Sequence, residues 1–171
     1  MDQCKSAAVP LQRNLKLQND DGSKEADVTL YRQLVGSLIY LTTIRPDLAY
    51  AVSALNQFIS KPLESHWVAA KGVLRYLHGT LDFGIVYTNS YDVRLTGFSD
   101  SDWAGNVDDR WSIRGYAFTI GSRFITWSSK KKNTVSLSSK KTEYQTIYAA
   151  TCLSSTKAEY QPICAATCEA I

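Results

Sequence analysis

The sequence predicts an α+β fold in which a helical segment precedes an antiparallel meander and a closing helix. Apolar residues first recur near a 3.6-residue period, and from about residue 84 short runs rich in aromatic and β-branched residues take over. Composition agrees with a folded chain: 44% hydrophobic and 20% charged residues, with four Trp and ten Tyr, carry no signature of disorder. At 171 residues the chain suits one domain, or one domain with a partial neighbour.

Residues 1–28 are polar and punctuated by Pro10 and by Asn19-Asp20-Asp21-Gly22, and they read as an extended arm. Leu34, Leu38 and Leu41, with Val35 and Ile39 beside them, place a buried amphipathic helix over 29–42. Pro46 then stands in the first turn of a second helix, whose stripe is Leu48, Val52, Leu55 and Ile59 and whose end is Lys61-Pro62. Ser65 serves as the N-cap of a third helix, in which Trp67, Ala70, Leu74 and Leu77 face one way and Gly79 follows as the C′ residue. The helical segment therefore covers 29–80.

Strand-like runs follow at 84–87, 94–98, 115–120 and 124–127, and the last three read as an antiparallel meander within a second domain spanning 84–171. Ser138 or Ser139 then caps a helix through Glu143, Tyr144, Ile147 and Ala150. Segments 137–152 and 153–168 align at an offset of 16 residues and pair Glu143 with Glu159 and Tyr144 with Tyr160. Two copies at so short a period indicate a local duplication and no repeat architecture, and Pro162 breaks the helix in the second copy.

A net charge of +3 is too mild to argue nucleic-acid binding from the total, so any such case rests on clustering. Lys130-Lys131-Lys132 and Lys140-Lys141 are the clusters, readable as phosphate contacts or as a solvated turn and a helix start. Cys4, Cys152, Cys164 and Cys168 show no zinc spacing, and only His66 and His78 supply imidazole, so no zinc is expected. No apolar run approaches the roughly 20 residues of a membrane span. The segment from Met1 to Ser6 lacks a secretory run, which points to a cytoplasmic or nuclear product.

The stretch Ser99-Asp100-Ser101-Asp102-Trp103-Ala104-Gly105 carries the chemistry. Asp100 closes a strand-like run, Val93 to Phe98, and Glu143 follows on the expected helix. Metal-assisted phosphodiester hydrolysis needs carboxylates converging from different elements, because hard Mg²⁺ takes oxygen ligands. Asp102 reads as a further ligand or as a solvated capping residue. Trp67 and Trp103 read as base-stacking platforms or as the rim of the core.

Four ordered blocks then define a resemblance. They are Tyr31-Arg32-Gln33-Leu34-Val35-Gly36-Ser37-Leu38-Ile39-Tyr40-Leu41, Arg45-Pro46-Asp47, Leu74-Arg75-Tyr76-Leu77-His78-Gly79-Thr80 and Ser99 to Gly105. With these the chain closely resembles copia-type retrotransposon Pol polyproteins over nearly its whole length. The resemblance implies the carboxyl-terminal end of a reverse transcriptase joined to a truncated RNase H-like domain. Asp100 takes the place of the metal-binding acid on the first strand and Glu143 that on the first long helix. Two further acids are expected beyond Ile171. The family's Ser-Ser-Thr-Glu-Ala-Glu-Tyr motif stands here as Ser138-Ser139-Lys140-Lys141-Thr142-Glu143-Tyr144, and Trp111 and Arg114 replace a lysine and a small polar residue. Asp20-Asp21 and Asp108-Asp109 lack the apolar setting of polymerase aspartates.

The expectation is a catalytically incomplete Pol fragment, with weak affinity for RNA/DNA hybrid and Mg²⁺ as cofactor only if activity remains. One alternative is an active Mg²⁺-dependent ribonuclease H, with Asp102 or Glu159 completing its site. Another comes from likeness to copia-derived chains among the secreted RxLR-class effectors of plant-pathogenic oomycetes, which implies secretion into a host cell and action on host plant proteins and cell death. Arg13-Asn14-Leu15-Lys16, followed by Asp20-Asp21 and Glu25, reads as a degenerate form of the translocation motif.

Overall fold

The computed structural model describes residues 4–12, 15, 17–87, 94–101, 113–121 and 123–131. The expected helix through Glu143, the duplicated segments, Pro162, Asp102, Trp103, Asp108-Asp109, Trp111, Lys132, Lys140-Lys141, Arg13, Asn14, Lys16 and the three cysteines of the tail lie outside the described residues. Those described form an α+β arrangement of two compact units, one helical and running to Ile85, the other a sheet from Val86 onward.

Helix α1 (Val28–Leu41) starts where Asp27 caps it, its Oδ1 accepting from the Thr29 and Leu30 N–H groups at 2.8 and 3.0 Å. Of the expected stripe Val35 and Leu38 are buried, Leu34 and Leu41 pack half-buried against the core and Ile39 is exposed; Tyr31, outside that stripe, is buried as well. The second expected helix opens with a 3₁₀ turn at Pro46–Leu48 and continues as α2 (Ala49–Asn56), burying Leu48, Val52 and Leu55; it ends at Asn56 and not at Lys61-Pro62, so Ile59 packs against the core from the turns that follow. Proline at the first position costs no hydrogen bond there, since that N–H has no partner inside a helix.

Helix α3 (Glu64–His78) corrects the sequence reading in three places. Its N-cap is Leu63 and not Ser65, because the Leu63 N–H donates to His66 Nδ1 at 2.9 Å, so an imidazole one turn in closes the terminus. Its buried residues are His66, Ala69, Ala70, Val73 and Tyr76, with Trp67, Leu74 and Leu77 flanking the core; His66 and Tyr76 are the polar-edged members that an apolar count passes over. Gly79 is right-handed at φ −84°, and its need for glycine is room, since a Cβ there would stand 2.6 Å from the Ser6 Cβ.

Among its described residues the segment before α1 has neither helix nor long strand, yet it is laid along α3. Ala7 donates to the Arg75 carbonyl at 3.3 Å, Arg75 Nε to the Lys5 carbonyl at 2.9 Å, and the Glu64 N–H to the Lys24 carbonyl at 2.8 Å. Ala7, Leu11 and Leu17 pack against the cluster shared by the three helices. The arm thus closes the open side of a bundle too small to bury its own faces.

The second unit is a meander in the order β1 (Leu95–Ser101), β2 (Ile113–Ile120), β3 (Arg123–Lys131), antiparallel throughout. The expected strand at 84–87 is irregular, with Val86 and Tyr87 largely exposed; the Tyr87 hydroxyl donates to the Phe124 carbonyl at 3.2 Å. Its four residues have strand composition but no strand beside them among the described residues, and composition alone does not supply a ladder. Gly121 takes φ 56° in the β2–β3 turn, and a register shift at Phe118/Thr119 pairs Phe118 with Thr126 but Thr119 with Phe124.

Gly97 lies opposite Phe118, whose ring covers the space a side chain would fill: an added Cβ would come 2.6 Å from the Phe118 Cε1. Gly97→Ala is therefore expected to destabilise the sheet by about 1 kcal/mol, the low end of overpacking costs, because the ring can swing. Urea unfolding followed by tryptophan fluorescence, to which Trp127 of the sheet contributes, checks this; an unchanged midpoint contradicts it.

Candidate nucleic-acid and metal site

Asp100 occupies the sixth position of β1, is exposed, and pairs with Gly115. Directly paired residues of antiparallel strands share a face, so Asp100 stands with Phe98 and Thr96 on the same side as Gly115, Ala117 and Thr119 of β2. Ser129 and Trp127 of β3 continue that side. The row through the carboxylate reads Asp100, Gly115, Ser129, and an added Cβ on Gly115 would meet nothing closer than the Ser128 carbonyl at 3.7 Å. The carboxylate therefore stands beside a residue without a side chain.

One carboxylate supplies one or two oxygens, well short of the octahedral set that Mg²⁺ requires. No group of three or more His, Cys, Asp or Glu comes together among the described residues. Asp100 fits a hard cation as a single ligand, and its expected companion Glu143 lies outside the described residues. Of the degenerate motif only Leu15 is described; it is exposed, and its N–H donates to the Gln12 carbonyl at 3.1 Å.

The helical unit holds a polar centre that the sequence reading treated only as motif. Arg45, 6% exposed, grips Asp47 with two parallel bonds, Nε to Oδ1 at 3.0 Å and Nη2 to Oδ2 at 2.8 Å. Its Nη1 donates to the Thr80 carbonyl at 2.9 Å, and Nη2 also reaches Thr80 Oγ1 at 2.8 Å. The Tyr76 hydroxyl donates to Asp47 Oδ2 at 2.9 Å, and Thr80 Oγ1 donates to the Tyr76 carbonyl at 2.9 Å. The guanidinium lies 5.9 Å from the Tyr76 ring centroid and 5.7 Å from that of Phe83.

Burial pushes the Asp47 carboxyl up, but the bonds from Arg45 and Tyr76 and the guanidinium charge outweigh it and hold it below the usual carboxylate range. Tyr76 is pushed up, by burial first and by Asp47 second. Two of the sequence blocks thus meet: Arg45-Pro46-Asp47 and the segment ending in Tyr76 and Thr80 are one network. Its place is architectural, tying the turn before α2 to the end of α3.

His66 forms a second buried junction. It is fully buried and stacks on Phe58 with ring centroids 3.9 Å apart; beyond its Nδ1 bond to Leu63, its Nε2 lies 2.9 Å from the Gln18 carbonyl. An acceptor Nδ1 leaves the proton on Nε2 to serve that carbonyl.

Known proteins are similar to this chain over most of its length. The chain is 46% identical over 143 residues to the retrovirus-related Pol polyprotein from transposon RE2 of Arabidopsis thaliana, covering 84% of this chain and 10% of that one. It is 38% identical over 152 residues to the corresponding polyprotein from transposon TNT 1-94 of Nicotiana tabacum, covering 84% and 11%. A secreted RxLR effector protein of Plasmopara viticola is 46% identical over 122 residues, which are 71% of this chain and 86% of that protein. No family model matches, and no solved structure matches. The chain belongs to the copia-type retrotransposon Pol family. It spans about a tenth of the length of the polyproteins it matches.

Proposed function

We propose that the chain is a nucleic-acid-handling fragment of a Pol protein, made of the helical end of a reverse transcriptase and the opening strands of an RNase H-like domain, with weak affinity for RNA/DNA hybrid and no turnover of its own. The observation that carries the reading is Asp100, an exposed carboxylate on the first strand of an antiparallel meander, beside a residue without a side chain. It is the placement that the resemblance assigns to the first metal-binding acid. The resemblance assigns Asp100 and Glu143 as metal-binding acids, and two carboxylates by themselves position Mg²⁺ poorly for a two-metal displacement. Mg²⁺, when bound, would stabilise charge on a phosphate oxygen; Asp100 and Glu143 would hold it.

Fluorescence anisotropy with a labelled RNA/DNA hybrid at low salt tests the binding half. Affinity in the micromolar range or weaker, falling as salt rises, is expected for contacts made mainly to phosphates. No binding at 50 mM salt, which is about the lower end of the range over which such contacts are compared, would remove the nucleic-acid role.

A second reading is favoured by the coverage of the Plasmopara viticola protein, 86% of whose length aligns with this chain. On that reading the chain is a secreted effector that acts on host plant proteins and alters host cell death, with residues 13–16 as its degenerate translocation motif. Transient expression of the full chain in leaf tissue beside an elicitor of cell death decides it. A changed extent of death supports an effector, and an unchanged one sinks that reading.

A further inference from the structure

Register brings together two cations that sequence separates by sixteen positions. Arg114 of β2 and Lys130 of β3 are direct cross-strand partners, so their side chains leave the same face of the sheet. That face is opposite the one carrying Asp100, because Arg114 and Gly115 are neighbours in β2 and point to opposite sides. Like charges placed directly across an antiparallel pair repel. Among the described residues no carboxylate lies within ion-pair distance of either.

The next row on this face is Ser99, Tyr116, Ser128, and the one after is Gly97, Phe118, Thr126. Tyr116 and Phe118 form a tilted pair with centroids 6.0 Å apart. A basic pair thus borders hydroxyls and aromatic edges, with no acid on the face within the described strands. Arg114 also stands where the resemblance has a small polar residue.

We propose that Arg114 and Lys130 form a phosphate clamp for the sugar–phosphate backbone of an RNA/DNA hybrid, with the hydroxyls of Ser99 and Ser128 beside it as donors to phosphate or ribose oxygens. The repulsion between the two cations is what an anion between them relieves, which gives the pair a preference for phosphate that either residue alone lacks. The clamp deepens the proposed hybrid-binding role and depends on it. It adds a contact on the face away from Asp100, separate from the one proposed at the carboxylate.

The test measures anisotropy of a labelled RNA/DNA hybrid from 50 to 200 mM salt, the span over which phosphate contacts typically cost orders of magnitude in affinity. It compares the full chain with Arg114→Gln, Lys130→Gln, the double variant, and Lys71→Gln in α3 as a control. Each removed phosphate contact is expected to lower the slope of log affinity against log salt by about 0.9, and the double variant by about 1.8. Lys71→Gln leaves the slope unchanged. Melting temperatures of the two single variants are expected to equal or exceed that of the parent, since a repulsion is removed; a fall would mark a structural role and overturn the clamp. Binding by the parent with an unchanged slope in the double variant overturns the clamp alone. Absence of binding by the parent overturns the clamp together with the role it rests on.

Discussion

Asp47→Ala is expected to destabilise the helical unit by about 2–3 kcal/mol, below the usual cost of breaking a fully buried ion pair because the Asp47 side chain is one-third exposed. The variant leaves the Arg45 guanidinium, 6% exposed, without its carboxylate and the Tyr76 hydroxyl without its acceptor. Among the described residues Arg45 would keep as hydrogen-bond acceptors the two groups of Thr80, with the Tyr76 and Phe83 rings beside it. Removing both charges together, as Arg45→Met with Asp47→Ala, is expected to recover much of the loss, since no buried charge is then left unpaired. A double-mutant cycle by urea unfolding measures the coupling, and additive single losses would contradict the network.

The same pair sets a pH dependence. The folded Asp47 carboxyl lies below its ordinary value, so the unfolded chain binds more protons as pH falls. Its contribution is full above the ordinary carboxylate pKa of about 4 and is lost as pH drops through the lower folded value. Asp47→Ala should lack that acid-side decline.

His66→Ala is expected to cost about 3–5 kcal/mol, the range for deleting a fully buried ring, because it also strands two polar groups. The ring stacked on Phe58 disappears, the Leu63 N–H loses its acceptor at the start of α3, and the Gln18 carbonyl loses its partner. The arm should loosen along with the helix, since Gln18 belongs to the segment laid along α3. Urea unfolding gives the size of the loss, and amide exchange at Glu64, whose N–H donates to the Lys24 carbonyl, reports the arm. A loss under 1 kcal/mol, the net worth of about one ordinary hydrogen bond, would contradict the junction.

These two residues show where the sequence was legible and where it was not. The first helix and the meander followed from periodicity and turn residues, since Val35 and Leu38 bury on one stripe and β1, β2 and β3 pair in chain order. His66 and Tyr76 escaped because their burial depends on partners far along the chain, Gln18 and Asp47, which satisfy polar atoms that a hydrophobic count treats as surface. Arg45 and Asp47 were visible as a motif around Pro46. Their pairing was not, because its third member, Thr80, lies 35 residues away from Arg45. The irregular 84–87 run failed for the converse reason: strand composition was present and a strand partner was not.

The candidate site divides the same way. Asp100 stood out from its place at the end of a strand-like run, and the structure sets it, exposed, on β1 opposite Gly115. The Lys130-Lys131-Lys132 cluster read equally as a turn, whereas Lys130 and Lys131 belong to β3 and leave opposite faces. Only the register, which a one-residue slip would reverse, reveals that Lys130 opposes Arg114.

The proposed function has this chain handle nucleic acid without cleaving it. The most direct measurement is incubation of the purified chain with an end-labelled RNA/DNA hybrid in millimolar Mg²⁺, beside Asp100→Asn and Glu143→Gln. Intact RNA with the parent, under conditions where anisotropy shows the hybrid bound, is the predicted result. RNA cleavage by the parent that both substitutions abolish would contradict the account and make the chain an active ribonuclease H.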